Sequence, residues 1–520
     1  MNKKILAPVF TDNMVLQRDK NIQIFGRITP DDKVTINFNG ATVTVVADNM
    51  GNWQVTLPPM SAATDLVLTA STDTDSVTCH NIAIGEVWLA GGQSNMEFDL
   101  QRCTDWERVS KAPNLNIRFF YTPKQPYRNE AYYRDFDNAT WQLSSHEEFG
   151  TWSAVGYLYA EQLCARLGVT VGIIGCNWGG TSASAWMDRD SILANENTRI
   201  YIDEFDERNK NISLEQQKAD YDAYIIHEQK WNEMCNKCYA ENPDISWDEV
   251  QQICGTCTWP GPINNFNPFR PCGLYEQMLL EICPYTLKGF IYYQGESDDH
   301  RPYAYYNLFS SMVKQWRKIW NEELPFILVQ LPMHKYMADP DFKNWPIIRE
   351  AQMKVFNTLP NMGIAVIPDC GQFNEIHPVN KSQVGLRLAL QALYFVYGLV
   401  DEESAFGPMY DYKEADGGRI IVHFKHADSG IELRGEPEYC EIAGCDKMFY
   451  PAKIDISGNT VTFSSDKVTS PEYVRYCWSN YCNPSLYGAN GIPVSPFRTD
   501  ENDELQIQTG SAKIQQNMET

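Results

Sequence analysis

The hydrophobic rhythm of the sequence changes twice along its 520 residues. Between about residues 9 and 80, apolar side chains alternate with polar ones, as in the runs 34–38 and 53–57, and turn-forming residues separate the runs. The same alternation returns after about residue 407, for example at residues 420–424. Period-two alternation is typical of antiparallel strands that bury one face. Both ends of the chain are therefore predicted to form small β domains of the sandwich type.

Between about residues 82 and 398, short apolar segments alternate with segments that repeat apolar residues at helical spacing. Strands that are apolar throughout and are separated by helices indicate a mainly parallel sheet covered on both faces. The predicted strands are 84–90, 171–176, 289–293, 326–331 and 363–367, and the predicted helices are 153–167, 305–320 and 381–397.

These patterns predict an α/β protein in three parts. We expect an N-terminal β domain at residues 1–80, an α/β domain at 81–400 and a C-terminal β domain at 401–520, whose polar end from about residue 501 frays. Residues 190–262 are polar and helix-prone, and they are interpreted as an insertion in the central domain.

The formal net charge of −24 argues against partners that present phosphate backbones or anionic lipids. No apolar run approaches the roughly 20 residues of a membrane span, so neither nucleic acid nor membrane is an expected partner. The N-terminal sequence lacks the long apolar stretch of an export signal, and the odd number of 15 cysteines favours a reducing compartment. A cytoplasmic location is expected, or a periplasmic or secreted one if a signal is missing from this chain.

The turn at residues 91–96 directly follows the predicted strand 84–90 and carries Ser94 next to two glycines. Ligands of open α/β sheets bind beyond the carboxyl ends of the strands, so a serine here is placed as a nucleophile. Met96 stands where the G-x-S-x-G elbow has its second glycine, which excludes that motif. The alternative is that Ser94 only caps a helix.

His377 lies in a loop between the predicted strand 363–367 and the helix at 381–397, and Glu375 precedes it by two residues. An imidazole at the same edge of the sheet as Ser94 is suited to act as a general base, with the carboxylate orienting it. The alternative is an ordinary surface histidine before a helix.

Two further turns follow predicted strands at this edge. The backbone N–H groups of Gly179 and Gly180 are candidates to bind a developing oxyanion. Gln294 is a candidate donor to the same oxyanion, and Glu296 is expected to hold a neighbouring loop; plain polar turns are the alternative in both cases. Four such loops after four strands are what an acyl-transfer site requires.

The residues of these turns resemble the sequence blocks of the sialate O-acetylesterase family, within the SGNH hydrolase superfamily. The blocks are Gly-Gln-Ser-Asn-Met at 92–96, Trp-Gly-Gly-Thr at 178–181, Gln-Gly-Glu-Ser at 294–297 and Ile-His-Pro-x-Asn-Lys at 376–381. Segments 13–18, 474–476 and 496–500 also resemble the ends of that family, so the resemblance spans most of the chain.

The resemblance implies an SGNH-hydrolase-like three-layer α/β/α domain flanked by β domains, and a serine esterase that removes O-acetyl groups from sugars without a catalytic cofactor. It implies that Ser94 is the nucleophile and His377 the base. The N–H of Ser94, the Gly179–Gly180 turn and Gln294 would form the oxyanion hole.

The acidic member of the triad departs from the superfamily pattern. Members often carry Asp three residues before the histidine, where this chain has Asn374. Glu375 is our prediction for the role, with Asp369 as the alternative, and a dyad supported by a backbone carbonyl as another.

The expected partner is an O-acetylated carbohydrate, with O-acetylated sialic acid as the first expectation and acetylated plant polysaccharide such as xylan as the alternative. A non-catalytic carbohydrate-binding protein on the same scaffold is the alternative from another class.

The insertion carries two Cys-x2-Cys pairs separated by 15 residues, Cys235 with Cys238 and Cys254 with Cys257. Two pairs at this spacing are typical of a tetrahedral zinc site, and zinc would stabilise a segment too polar to form its own core. The prediction is a structural zinc without a part in catalysis; free thiols or two disulfides are the alternatives.

Overall fold

Seven strands form the N-terminal region, and their alternating apolar residues, such as Val34, Ile36 and Phe38, are buried. The computed structural model describes residues 5–242, 245 and 247–500. β2 pairs with β5 and β3 pairs with β4 and β6, all antiparallel. The strands are β1 (Val15–Gln17), β2 (Ile22–Arg27), β3 (Lys33–Phe38), β4 (Ala41–Val46), β5 (Asn52–Leu57), β6 (Ala63–Ser71) and β7 (Ser76–Gly92).

β7 has 17 residues and joins the N-terminal region to the central sheet. Its first part pairs antiparallel with β6, and residues 83–85 pair in parallel with β1. The strand crosses the predicted boundary between residues 80 and 81 without a break. Where the two regions meet, the buried carboxylate of Glu86 accepts hydrogen bonds from Gln17 Nε2 at 3.0 Å and from Arg18 Nε at 2.5 Å.

The central region is an α/β arrangement around a large, mostly parallel sheet. Its strands are β8 (Ile117–Tyr121), β9 (Trp141–Leu143), β10 (Val171–Asn177), β11 (Gly289–Tyr293), β12 (Phe326–Gln330), β13 (His334–Lys335), β14 (Met362–Val366) and β15 (Gln372–Phe373). Its helices are α1 (Ser94–Glu97), α2 (Trp106–Lys111), α3 (Glu130–Asn138), α4 (Ala154–Leu167), α5 (Arg189–Leu193), α6 (Ile200–Asn209), α7 (Leu214–Glu241), α8 (Trp247–Cys254), α9 (Leu280–Ile282), α10 (Pro302–Trp320), α11 (Asn344–Thr358), α12 (Ser382–Gln391) and α13 (Glu402–Ala405).

The strand order of this sheet is β14-β12-β11-β7-β10-β8-β9, and only the edge strand β9 is antiparallel to its neighbour. β7 therefore lies in the middle, with β10 and β11 on either side of it. Because the three strands are parallel, the loops that follow them emerge side by side at one edge. This order brings the turns that start at residues 93, 178 and 294 together.

Helices cover both faces of the sheet. On β7, the ring of Trp88 packs against Tyr159 of α4, with centroids 5.4 Å apart. Gly91, three positions later, faces Trp316 of α10, whose ring atoms lie 3.0 Å from where a Cβ would be. Residues three apart on a strand point to opposite faces, so α4 and α10 lie on opposite sides.

The five predicted central strands correspond to β7, β10, β11, β12 and β14, and the three predicted helices correspond to α4, α10 and α12 with the π-helical turn at 392–396. The sequence pattern does not reveal β8. This strand carries Arg118, a charged residue in an otherwise apolar run, whose guanidinium donates to the backbone oxygens of Asn13 and Asn81. A charge that is paired with distant main chain cannot be distinguished from a surface charge in the sequence.

The C-terminal region contains two four-stranded antiparallel sheets, β16-β17-β22-β21 and β20-β19-β23-β25. Their core includes Ile420, Val422, Phe463 and Val474. The strands are β16 (Met409–Asp416), β17 (Arg419–Lys425), β18 (Ile431–Leu433), β19 (Cys440–Ala443), β20 (Tyr450–Pro451), β21 (Lys453–Ser457), β22 (Thr460–Ser464), β23 (Tyr473–Tyr476), β24 (Leu486–Gly488) and β25 (Phe497–Arg498). The tail expected to fray from about residue 501 lies outside the described residues. Among the helices of the described part of the chain, none has the length and apolar character needed to cross a bilayer.

Candidate active site

Ser94 and His377, which are 283 residues apart in the sequence, meet at the carboxyl edge of the central sheet. β7 ends at Gly92, and Ser94 is the first residue of α1. His377 lies in the loop between β15 and α12, and its Nε2 is 2.7 Å from the Ser94 Oγ. This is hydrogen-bond distance, so the imidazole is placed to receive the hydroxyl proton.

The side chain of Asn95 links the loops that carry these two groups. Its Nδ2 donates to Glu296 Oε1 at 2.7 Å and to the backbone oxygen of Ile376 at 3.0 Å. Its Oδ1 accepts a hydrogen bond from Lys381 Nζ at 2.6 Å. Glu296 thus holds the neighbouring turn, which carries Ser94. Since Asn95 follows the serine and Ile376 precedes the histidine, the bonds to Asn95 hold Ser94 and His377 in register.

The residues of this network have pKa values shifted by burial. Burial lowers the pKa of Lys381 to about 8, and burial raises the pKa of the Glu296 carboxyl. The pKa of His377 is lowered by burial and then by the positive charge of Lys381. A lowered histidine pKa favours the neutral imidazole at neutral pH, which is the form that accepts a proton.

Glu375 and Asp369, the two candidates for the acidic member of a triad, form hydrogen bonds with groups other than the imidazole of His377. Glu375 Oε1 accepts a hydrogen bond from the backbone N–H of His377 at 2.7 Å, so this carboxylate holds the main chain and not the ring. The two oxygens of Asp369 bind the guanidinium of Arg387 at 2.5 and 2.7 Å. Asn374 Oδ1 accepts from the backbone N–H of Met337. The bond expected between Glu375 and the imidazole is thus replaced by a bond to the main chain of the same residue.

The Gly179–Gly180 turn borders Ser94. A Cβ at Gly179 would lie 3.2 Å from that of Ser94, and the N–H of Gly179 donates to the carboxylate of Glu97 at 2.5 Å. Glu97 also pairs with Lys124. The predicted oxyanion donor is therefore occupied by a carboxylate in this structure, whereas the N–H of Ser94 is in the first turn of α1, where helix N–H groups lack an intrahelical acceptor.

Gln294 does not have the geometry predicted for an oxyanion donor. Its Nε2 donates to the backbone oxygen of Thr181 at 3.2 Å and to Asp298 Oδ2 at 2.6 Å, and its Oε1 accepts from Tyr305. Both amide hydrogens thus point to protein acceptors. The oxyanion role of Gln294 stays a prediction, because a position after a strand indicates where the residue lies but not which partners its buried side chain has. Gln294 instead ties the loop after β11 to the loop after β10.

Asp298 is a buried carboxylate that the sequence motifs do not single out. It accepts hydrogen bonds from Ser182 Oγ at 2.6 Å, from the backbone N–H of Ala183 at 2.9 Å and from Tyr201 Oη at 2.9 Å. Together with Gln294, it fixes the segment that follows the Gly179–Gly180 turn. Only its place directly after the block at 294–297 hints at this role.

Ser94 and His377 open onto a small pocket of about 180 Å³. Arg102 is the cation that lines it, and its guanidinium lies over the ring of Phe98 at 4.9 Å. A larger groove of about 420 Å³ adjoins the pocket and shares Glu97 and Gly179 with it. Besides Ser94, Arg102 and His377, the residues that line the pocket are Glu97, Phe98, Asp99 and Gly179.

Three of the four predicted zinc ligands lie near one another in the insertion. Cys238 Sγ is 3.6 Å from Cys254 Sγ, and Cys235 also neighbours Cys254, whereas Cys257 lies beside Glu228. Among residues 5–242, 245 and 247–500, no group of three or more His, Cys, Asp or Glu side chains has an arrangement that could hold a metal ion. The residues as placed do not form a four-sulfur site, and structural zinc stays a prediction for metal analysis of the purified protein.

Comparison with known proteins places these features in context. A family model described as a carbohydrate esterase, sialic acid-specific acetylesterase, matches residues 262–394. This segment contains Gln294, Glu296 and His377. A sialate O-acetylesterase from Mus musculus is 26% identical over 539 residues, which cover 94% of this chain and 93% of the mouse protein. The Homo sapiens sialate O-acetylesterase is 24% identical over 94% of this chain and 91% of its own length.

A solved structure is similar over nearly the whole chain. The crystal structure of a carbohydrate acetylesterase from Xanthomonas citri shares 30% sequence identity with it and superimposes with a TM-score of 0.75. The match covers 96% of this chain and 99% of the Xanthomonas citri chain. The similarity therefore includes both β regions as well as the central sheet.

Proposed function

Since this chain belongs to the sialate O-acetylesterase family and is a carbohydrate esterase, we propose that it removes O-acetyl groups from sugars through an acetyl-enzyme formed on Ser94. The observation that supports this proposal most directly is the 2.7 Å separation between Ser94 Oγ and His377 Nε2. The central region is correspondingly proposed to be an SGNH-type α/β/α domain. The β regions at the two ends would flank it.

In the proposed reaction, Ser94 Oγ attacks the acetyl carbonyl carbon while its proton passes to His377 Nε2. The carbonyl oxygen becomes an oxyanion, which the N–H of Ser94 stabilises. When the tetrahedral intermediate collapses, the bond to the sugar oxygen breaks and His377 returns the proton to that oxygen. Water then attacks the acetyl-serine, with His377 accepting its proton and giving it back to Ser94, and acetate leaves.

The N–H of Gly179 joins the oxyanion hole in this proposal only after Glu97 withdraws from it. Glu97 has a second partner in Lys124, so its carboxylate can leave the glycine and remain paired. The dyad of Ser94 and His377 is supported by the Asn95 network, and Glu375 contributes by holding the main chain of the histidine.

O-acetylated sialic acid is the proposed natural substrate, and Arg102 is the residue that favours it. Its exposed guanidinium lines the pocket of Ser94, where it is suited to pair with the carboxylate that sialic acids carry and neutral sugars lack. Acetylated plant polysaccharide is the second candidate, since nothing at Ser94 itself distinguishes one acetyl ester from another. Family membership favours either of these over a carbohydrate-binding protein without catalysis.

Replacing Arg102 with Gln is expected to lower kcat/KM for O-acetylated sialic acid by about tenfold relative to acetylated xylose, because a charge-assisted hydrogen bond is lost. The measurement is acetate release from both substrates by wild type and variant. An unchanged ratio of the two specificity constants would exclude Arg102 as the carboxylate partner. A wild-type preference for acetylated xylose over every acetylated sialic acid would overturn the proposed substrate.

The kcat/KM of the wild-type enzyme is expected to rise with pH to a plateau, with a midpoint below the ordinary histidine pKa of 6.5. The sign follows from the base, since a protonated His377 cannot accept the serine proton and its pKa is lowered. The charged and titratable groups that face it are Lys381, Glu375, Arg102 and His334.

Replacing Lys381 with Met removes a positive charge near the imidazole, so the pKa of His377 rises and the acid limb moves to higher pH by about 0.5 to 1 unit. Lys381 is a positioning residue here, and the midpoint reports its charge independently of any drop in the plateau rate. Lys111→Met, at an exposed pair with Glu107, is the matched control and should leave the midpoint unchanged. A Lys381→Met profile that coincides with wild type would contradict the electrostatic role.

A further inference from the structure

Resting on the proposed function, we infer that the groove beside the catalytic pocket binds neutral sugar units attached to the acetylated sugar, so that the enzyme acts on glycans rather than on single monosaccharides. Half of the residues that line this groove belong to the polar insertion, among them Tyr224, Glu228 and Trp259, and the other half lie outside it, among them Glu97, Gly179 and Phe269. It is called the aromatic groove below.

The pocket of Ser94 and the aromatic groove differ in volume, and this difference indicates different roles. The pocket of Ser94 has about 180 Å³, below the roughly 300–1,000 Å³ typical of ligand sites, while the aromatic groove has about 420 Å³ and falls within that range. The pocket suits the acetyl group and its point of attachment. Since the groove shares Glu97 and Gly179 with the pocket, a chain that starts at Ser94 continues into it without leaving the protein surface.

The aromatic side chains of the groove differ in exposure: Trp259 is exposed, Trp178, Tyr224 and Phe269 are half-buried, and Tyr221 is buried. Trp259 is 60% exposed, the largest exposed aromatic surface among the described residues. It lies against the Gly180 backbone, where a Cβ would come within 2.6 Å of its ring, and it packs edge-on against Phe269 at 5.1 Å. An indole held in place by backbone and by a second ring presents a flat apolar face at little cost in side-chain entropy, which suits the apolar face of a pyranose.

Packing also holds a second aromatic side chain of the groove in place. Tyr224 of α7 lies on Gly261, where a Cβ would approach the ring to 2.6 Å and where φ is +73°. Its hydroxyl donates to Glu228 Oε1 at 2.6 Å. Asn267 Nδ2 donates to the backbone oxygens of Pro260 and Pro262, each at 3.0 Å, and so fixes the loop that carries Trp259.

The charged residues that line the aromatic groove indicate which sugars it would bind. Among the described residues that line it there is no lysine or arginine, whereas Glu97 and Glu228 are acidic. An acidic sugar would find no cation among these lining residues to pair with its carboxylate, whereas a neutral sugar would find carboxylate oxygens that accept hydrogen bonds from its hydroxyl groups. The cation of the site, Arg102, lines the catalytic pocket instead. The groove is therefore assigned to the neutral units of the glycan.

The test compares kcat/KM for two matched pairs of substrates, acetylated xylose with acetylated xylotetraose, and O-acetylated sialic acid with O-acetylated sialyllactose. In at least one pair, the wild type is expected to favour the longer substrate by about tenfold, because binding energy from the added sugars is used at the acetyl group. Trp259→Ala should reduce the preference for the longer substrate to about twofold or less, since truncation of an anchoring aromatic commonly costs a factor of five or more.

Trp259→Phe, which keeps a ring, should retain most of the gain, and Tyr224→Ala should also reduce it. Tyr239→Ala, an exposed aromatic of α7 outside the groove, is the matched control and should leave the gain and the basal rate as in wild type. The proposal is overturned if neither pair shows a gain with length, or if the gain survives both Trp259→Ala and Tyr224→Ala. Either result would leave hydrolysis of the short substrates, and with it the proposed function, untouched.

Discussion

Replacing Ser94 with Ala is expected to lower kcat/KM for a chromogenic acetyl ester by about 10⁴-fold or more. The hydroxyl is the group that would form the bond to the acetyl carbon, and the alanine side chain offers no nucleophile in its place. The N–H of residue 94 and the imidazole of His377 remain, so a small residual rate from oxyanion binding is compatible with this expectation. The measurement is initial-rate hydrolysis at several ester concentrations, with active-site titration of the wild type.

Two controls make the result specific. Ser110→Ala removes an exposed hydroxyl of α2 and should behave as wild type. The thermal midpoint of Ser94→Ala should lie close to that of wild type, since Ser94 Oγ contributes one hydrogen bond to a partly buried site. A folded Ser94→Ala protein with more than about a tenth of the wild-type rate would mean that another group is the nucleophile.

Replacing His377 with Ala is expected to lower kcat/KM by about 10³-fold or more while the protein stays folded, because general-base assistance to the serine is lost. Glu375→Gln should cost far less, about tenfold at most. In that variant the amide oxygen still accepts the backbone N–H of His377, so the main chain stays in place. The two variants and wild type are compared on the same acetyl ester over a range of pH.

His80→Ala, at an exposed position on β7, is the matched control for the loss of an imidazole and should keep the wild-type rate. If Glu375→Gln were as damaging as His377→Ala, the carboxylate would have to reach the ring during turnover, and a full triad would replace the dyad. Substantial activity of a folded His377→Ala protein would identify a different base.

The strands and the positions of Ser94 and His377 at the strand ends can be predicted from the sequence because they depend on local signals. Apolar runs mark buried strands, and the residues directly after such strands lie at one edge whatever the rest of the chain does. Ser94 follows its strand immediately, and His377 precedes its helix by a few residues. Their meeting at 2.7 Å also requires that the loop after β14 reach across the ends of β12 and β11 to β7, which local signals do not predict.

The hydrogen-bond partners of polar groups cannot be predicted from the sequence, because they depend on the direction in which each side chain points and a position in the sequence does not determine that direction. Its position after β11 predicts correctly that Gln294 lies at the carboxyl edge of the sheet, but it does not predict that the amide donates to Thr181 and Asp298. The N–H of Gly179 meets Glu97, a residue whose side chain carries no pattern of its own. Lys381 is similar, since a lysine before a helix usually signals solvent, whereas here it is 1% exposed and donates to Asn95.

The continuity of β7 limits how this enzyme can be taken apart. Ser94 follows β7, which pairs with β6 at the end away from Ser94 and with β1 at residues 83–85, closer to it. Anyone transplanting the catalytic sheet onto another scaffold has to carry residues 15–18 and 63–71 with it. Otherwise the buried carboxylate of Glu86 would lose its hydrogen-bond partners Gln17 and Arg18. Breaking a buried ion pair in this way lowers the free energy of unfolding by about 3 to 5 kcal/mol. The N-terminal β region is thus part of the structure that holds Ser94, the proposed nucleophile, in place.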